Sequence, residues 1–163
     1  MKLEYLIPSL IVLGLLSALA LAQQETELKT WATIEKYISV TPSYVEVDFG
    51  TVNRSTTNNV PVNLDQTLGQ FNFTISTNYD YRASAKVAGI PAGLTQKISI
   101  SPNLADAINV TLAKTLSDVY QYFPSVSVPE GGTYIDYHGH WLDVAEPKAG
   151  THMWFLYILY ENL

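Results

Sequence analysis

The chain contains no cysteine. Disulfides, thiolate metal sites, a thiol nucleophile and thioether-linked haem are therefore excluded. Basic residues are scarce: 9 Lys and Arg stand against 15 Asp and Glu, a formal net charge of −6. A surface that tracks phosphates needs the opposite balance, so a nucleic-acid binder is excluded as well. Charged residues make up only 15% of the chain and hydrophobic ones 47%, which excludes a disordered tail. Catalytic signatures are missing too. No Gly-x-Ser-x-Gly elbow occurs, and Gly131-Gly132 lacks the Lys and Ser/Thr of a phosphate loop. Glu46 and Asp48 share one strand face, as solvated carboxylates do, and nothing marks the cleft that a glycoside hydrolase requires. The expectation is a non-enzymatic protein without a cofactor.

After residue 22 there is no long hydrophobic run, but before it there is one. Lys2 precedes an apolar stretch over residues 6–22 that closes on Ala20-Leu21-Ala22. A charged start, an apolar middle and small residues at −3 and −1 are what the export machinery and signal peptidase need. Residues 1–22 are thus expected to be a signal peptide and Gln23 the mature N-terminus. Cleavage removes Lys2 and Glu4 together and leaves the net charge at −6. The competing reading is an uncleaved anchor, since about 17 apolar residues just span a bilayer. Glu4, Pro8 and Gly14 suit an anchor poorly.

The 11 Tyr, 5 Phe and 3 Trp favour pleated, half-buried surfaces. Strand-like runs recur at short intervals: residues 37–41 and 43–49 flank Pro42, and residues 60–64 present Val60, Val62 and Leu64 on one face. Phe71, Phe73 and Ile75 alternate with polar residues, and Tyr81, Ala83, Ala85 and Val87 keep that period. Residues 94–100 and 107–112 follow the turn at Gly89–Gly93. Residues 151–160 are apolar on both faces, which predicts a strand covered on both sides. Leu104, Ile108, Leu112, Leu116, Tyr120 and Phe123 also fit a helical period, which allows a helical turn over residues 117–122 inserted between strands. Together these runs predict one all-β domain over residues 37–163, a β-sandwich of jelly-roll or immunoglobulin-like type. Residues 23–36 form an N-terminal extension ahead of it.

Three sequons, at Asn53, Asn72 and Asn109, are candidate glycosylation sites. Asn53 reads as a turn; Asn72 and Asn109 read as strand positions opposite the apolar face. His138 and His140 would share one strand face, and with His152 they are the candidate metal ligands. Gly139, between Asp136 and Asp143, more readily marks an exposed loop whose histidines are surface groups.

The extension holds Leu28, Trp31, Ala32 and Ile34 among charged residues. A free tail gains nothing from such side chains. Added as a strand to an open sheet edge, it would satisfy backbone donors while alternate side chains fill a groove. A strand or short helix packed on its own domain is the alternative.

Residues 38–42 (Ile-Ser-Val-Thr-Pro), residues 47–52 (Val-Asp-Phe-Gly-Thr-Val) and Ala149-Gly150-Thr151 before an aromatic strand resemble the TasA/camelysin family and its archaeal relatives, the bundling pilus subunits. The resemblance implies a secreted jelly-roll subunit of a biofilm-matrix fibre, a homopolymer in which each N-terminal strand enters the next subunit, with lateral bundling between fibres. Residues 63–69 depart from it by lacking the Asn-Gly turn expected after the second strand. Two other readings stand beside the fibre: a metal-binding module built on His138, His140 and His152, and an anchored envelope domain.

Overall fold

The computed structural model describes residues 32–53, 55–62 and 71–163. The expected signal peptide over residues 1–22, Leu28 and Trp31 of the extension, and residues 63–64 of one expected strand lie outside them. Residues Glu35–Leu163 form one compact unit.

That unit is an all-β sandwich. Strands β1 (Ile38–Pro42), β2 (Thr57–Pro61), β3 (Asn72–Thr77), β4 (Tyr81–Ala88) and β5 (Leu94–Ser101) lead into helix α1 (Leu104–Ala107) and a 3-10 turn at Val110–Leu112. Strands β6 (Lys114–Thr115), β7 (Gln121–Tyr122), β8 (Gly132–Val144) and β9 (Phe155–Asn162) follow. The larger sheet runs β1-β3-β8-β5-β6, with β2 also on β8; the smaller runs β7-β4-β9. All the pairings are antiparallel.

The expected period-2 patterns build the core. Ile75 of β3, Tyr81, Ala83, Ala85 and Val87 of β4 and Ile98 and Ile100 of β5 meet between the sheets, joined by Leu116, Phe123, Val128 and Tyr160. Strand β8 is the spine of the larger sheet. Its first half pairs with β3, from Thr77 opposite Gly132 to Asn72 opposite Tyr137, and its second half pairs with β5, from Ser101 opposite Tyr137 to Leu94 opposite Val144.

Five expectations need correction. Gly139 does not mark an exposed loop. It is buried in the middle of β8, where a Cβ would run into the Ala107 carbonyl, the Trp141 ring and the Ser99 hydroxyl. Only glycine lets α1 close over the strand there.

Residues 43–49 do not form a strand: Ser43 exchanges backbone and side-chain hydrogen bonds with Asn72, and Tyr44 turns inward while Val45 is 98% exposed. Residues 107–112 are not a strand either, because the Asn103 and Asn109 carboxamides capture the Ala105 and Thr111 N–H groups and start α1 and the 3-10 turn. The helical turn over 117–122 is absent; Gln121 and Tyr122 pair instead with Ala85 and Ser84.

The closing strand begins at Phe155 and is covered on one face only. Trp154, Leu156, Ile158 and Tyr160 pack inward as expected. Phe155, Tyr157 and Leu159 are 59%, 45% and 44% exposed. The smaller sheet has no further layer of described residues over them.

Candidate functional site

The alternation of β8 puts Asp136, His138 and His140 on the face that meets the smaller sheet. All three are buried. From the stretch after β1, Tyr44 brings its hydroxyl 2.5 Å from His138 Nδ1 and 3.0 Å from His140 Nε2. From β9, the Tyr160 hydroxyl lies 3.0 Å from His138 Nε2, and from β4 the Tyr81 hydroxyl donates to Asp136 Oδ1 at 3.0 Å. The Tyr160 hydroxyl also acts on the Asp136 carboxyl, favouring its ionised form. Phe71 and Phe73 wall the cluster, with ring centroids 5.3 Å from His140 and 4.6 Å from His138. Strands from both sheets and the Tyr44 loop therefore converge on one polar line inside the core.

Burial sets the ionisation of each member. It holds His138 well below the usual imidazole range, with the His140 ring adding to the effect, and pushes His140 down to about 3. Burial raises Tyr44 far above an ordinary phenol, and it raises Tyr81 and Tyr160, with the nearby Asp136 charge adding to both. Asp136 is itself raised by burial, opposed by the phenol bonds from Tyr81 and Tyr160.

These states fix the direction of the hydrogen bonds. With Asp136 ionised and accepting from Tyr81 and Tyr160, Tyr160 accepts from His138 Nε2–H. Neutral His138 then offers a bare Nδ1 to the Tyr44 hydroxyl, and Tyr44 in turn accepts from His140 Nε2–H. His140 Nδ1 is left as an acceptor, and among the described residues it is one of two buried side-chain atoms without a partner, Ser84 Oγ being the other. One added proton reverses the chain without charging any member: it enters at His140 Nδ1 and emerges on Asp136.

The structure brings two of the three candidate metal ligands together. The ring centroids of His138 and His140 are 6.2 Å apart, but the Tyr44 hydroxyl stands between their facing nitrogens. His152 is elsewhere in its contacts, with Nε2 2.6 Å from the Lys148 carbonyl. Among the described residues no group of three His, Cys, Asp or Glu side chains could hold a metal ion. Tyr44, Tyr81 and Tyr160 were not legible as partners of the histidines and Asp136. Asp136 was missed as well, although the strict two-residue spacing of Asp136, His138 and His140 within one strand was a signal that could have found it.

The sequons separate by conformation. Asn53 and Asn109 are exposed in turns, whereas Asn72 opens β3 between β1 and β8. Of the extension, Ala32 and Ile34 are described, and both are exposed, Ile34 by 82%.

No family model matches the chain, and neither a curated protein nor a solved structure does.

Proposed function

We propose that the chain is a subunit of an extracellular homopolymeric fibre, joined to its neighbour when residues 23–36 of one copy add as a strand to the β9 edge of the next. Strand β9 carries the reading. Among the described residues its ladder is with β4 alone, so one side of its backbone is open. Its outward side chains Phe155, Tyr157 and Leu159 are apolar and exposed. Soluble proteins blunt such edges with proline, lysine or a bulge, and the β9 sequence Phe-Leu-Tyr-Ile-Leu-Tyr-Glu-Asn contains neither proline nor lysine. An open apolar edge of this kind is a template for a further strand.

The extension supplies a strand of suitable length and composition. Fourteen extended residues reach roughly 46 Å, whereas the eight of β9 span about 26 Å. Leu28, Trp31, Ala32 and Ile34 would be its buried side chains. The segment enters β1 beside the end of β9, where Lys36 Nζ donates to the Leu163 carbonyl at 2.8 Å and the Tyr37 N–H to Asn78 Oδ1 at 2.9 Å. A copy could therefore also close its own edge, and assembly requires that exchange between copies be preferred. Export rests on the signal peptide over residues 1–22, whose removal leaves Gln23 at the N-terminus.

The test compares three proteins by electron microscopy and size-exclusion chromatography. The mature chain from Gln23 should form filaments, the chain from Tyr37 should not, and a peptide spanning residues 23–36 should stabilise the truncated chain without restoring filaments. Leu159→Lys should abolish filaments while leaving the folded unit intact. Normal filaments from the truncated chain, or a mature chain that stays monomeric at every concentration, would overturn the reading.

A further inference from the structure

We infer that Asn109 and Asn53, and not Asn72, are acceptors for N-linked glycan in the folded protein. All three lie in Asn-x-Ser/Thr sequons, and the sequence favours only Asn53, as a turn residue, over the other two. Their conformations differ. At Asn109 the carboxamide oxygen accepts from the Thr111 N–H at 3.0 Å and from the Thr111 hydroxyl at 2.7 Å, and both residues are exposed. Asn53 repeats the arrangement, with Oδ1 accepting from the Ser55 N–H at 3.0 Å and the Ser55 hydroxyl at 2.9 Å. In both turns Oδ1 takes the two bonds, while Nδ2, the atom that must react, makes none among the described residues. The sequon is also bent back on itself, so that an enzyme can approach hydroxyl and carboxamide from one side.

Asn72-Phe73-Thr74 is held the other way. It lies flat in β3, whose Asn72, Phe73 and Thr74 face Tyr137, Asp136 and Ile135 of β8, while Phe73 and Thr74 face Pro42 and Thr41 of β1. Ser43 clamps the remaining backbone: its N–H donates to the Asn72 carbonyl at 3.0 Å, and its hydroxyl accepts from the Asn72 N–H at 3.1 Å. An extended strand separates carboxamide and hydroxyl by about 6.6 Å of rise. Bending this sequon into an acceptor turn would require β3, an inner strand paired on both sides, to leave its ladder.

The co-substrate is an oligosaccharide carried on a polyprenyl pyrophosphate. Asn Nδ2 attacks the anomeric carbon, the N–C bond forms as the C–O bond to phosphate breaks, and the pyrophosphate leaves with the electron pair. Nδ2 gives one proton to a base of the transferase, and no centre is oxidised or reduced. Neither asparagine belongs to the β7-β4-β9 sheet.

The experiment incubates the full chain, folded and urea-unfolded, with a purified oligosaccharyltransferase and a lipid-linked oligosaccharide, a sequon peptide serving as positive control. Glycopeptides are quantified at the three sites by mass spectrometry. Folded protein should be modified at Asn109 and Asn53 faster than at Asn72 by about tenfold or more, because a ladder residue must first be released by local opening. Unfolding should bring Asn72 up to the other two. Thr111→Val should abolish modification at Asn109 and leave Asn53 unchanged. Equal rates at Asn72 and Asn109 in the folded chain would overturn the assignment. So would modification of Asn109 only after unfolding, or no modification at any site while the control peptide reacts.

Discussion

Acid should destabilise the fold through His138 and His140, with a slope that can be stated in advance. In the unfolded chain both imidazoles titrate near 6.5. In the folded chain burial keeps both neutral far below that, His140 down to about 3. A folded pKa lowered in this way gives stability that is complete above pH 6.5 and is lost as pH falls toward the folded value. The unfolded state then binds up to two more protons than the folded one, so each pH unit costs about 2.7 kcal/mol once both unfolded histidines are charged. Asp136 acts with the opposite sign. Its raised pKa lets the folded state take up one proton before the unfolded state does, which returns up to about 1.4 kcal/mol per unit over that window. The net slope below about pH 5.5 should therefore lie between about 1.4 and 2.7 kcal/mol per unit, enough to consume the stability of an ordinary domain within a few units. Urea unfolding at a series of pH values from 8 down gives the slope directly. Nitrogen NMR of the rings adds a second reading: both histidines should be the Nε2–H tautomer at neutral pH, and both should switch to Nδ1–H, still uncharged, when Asp136 takes its proton. A flat stability profile through pH 6.5, or imidazolium shifts from either ring in the folded protein, would refute the argument, because the rings would then be reached by water.

Two substitutions probe the packing around the same strand. Tyr160→Phe removes the hydroxyl between His138 and Asp136 and leaves a buried N–H without an acceptor, so it should cost about 1 to 3 kcal/mol in denaturant unfolding. It should also uncouple the His138 tautomer from Asp136. Gly139→Ala places a methyl against the Ala107 carbonyl and the Trp141 ring and should cost about 1 to 3 kcal/mol or more by thermal melting, although it is a single added carbon.

Where a segment's own alternation decided its structure, the sequence was a sufficient guide. Phe73 and Ile75, the odd-numbered residues of β4 and the even-numbered residues of β9 all point inward because two sheets must cover them. It misled where a side chain outbid the ladder. Residues 107–112 have the β-branched content of a strand, yet the Asn103 and Asn109 carboxamides bind backbone N–H groups two residues on and wind the chain instead. Gly139 looked like a loop because its reason, the closeness of α1, lies more than thirty residues away in sequence.

The polar line inside the core shows why the histidines were hard to place from sequence. Asp136-x-His138-x-His140 is visible as a spacing, but whether it reads as a metal site, a surface or a buried network depends on what stands opposite, and that is Tyr44, Tyr81 and Tyr160 from three other segments. The phenols change the chemistry of the site. A phenol between two imidazoles accepts from the N–H of one ring and donates to the bare nitrogen of the other, so the cluster satisfies all but one of its ring nitrogens without an ion. It also ties β8 to β4 and β9, with a geometry that a slip of one residue in any of these strands would destroy, since each hydroxyl would then face outward. An apolar core of equal size would tolerate such slips more readily. The network therefore pins the relative register of the two sheets, and with it the orientation of β9, the strand whose outer face and open edge are proposed to receive the next subunit.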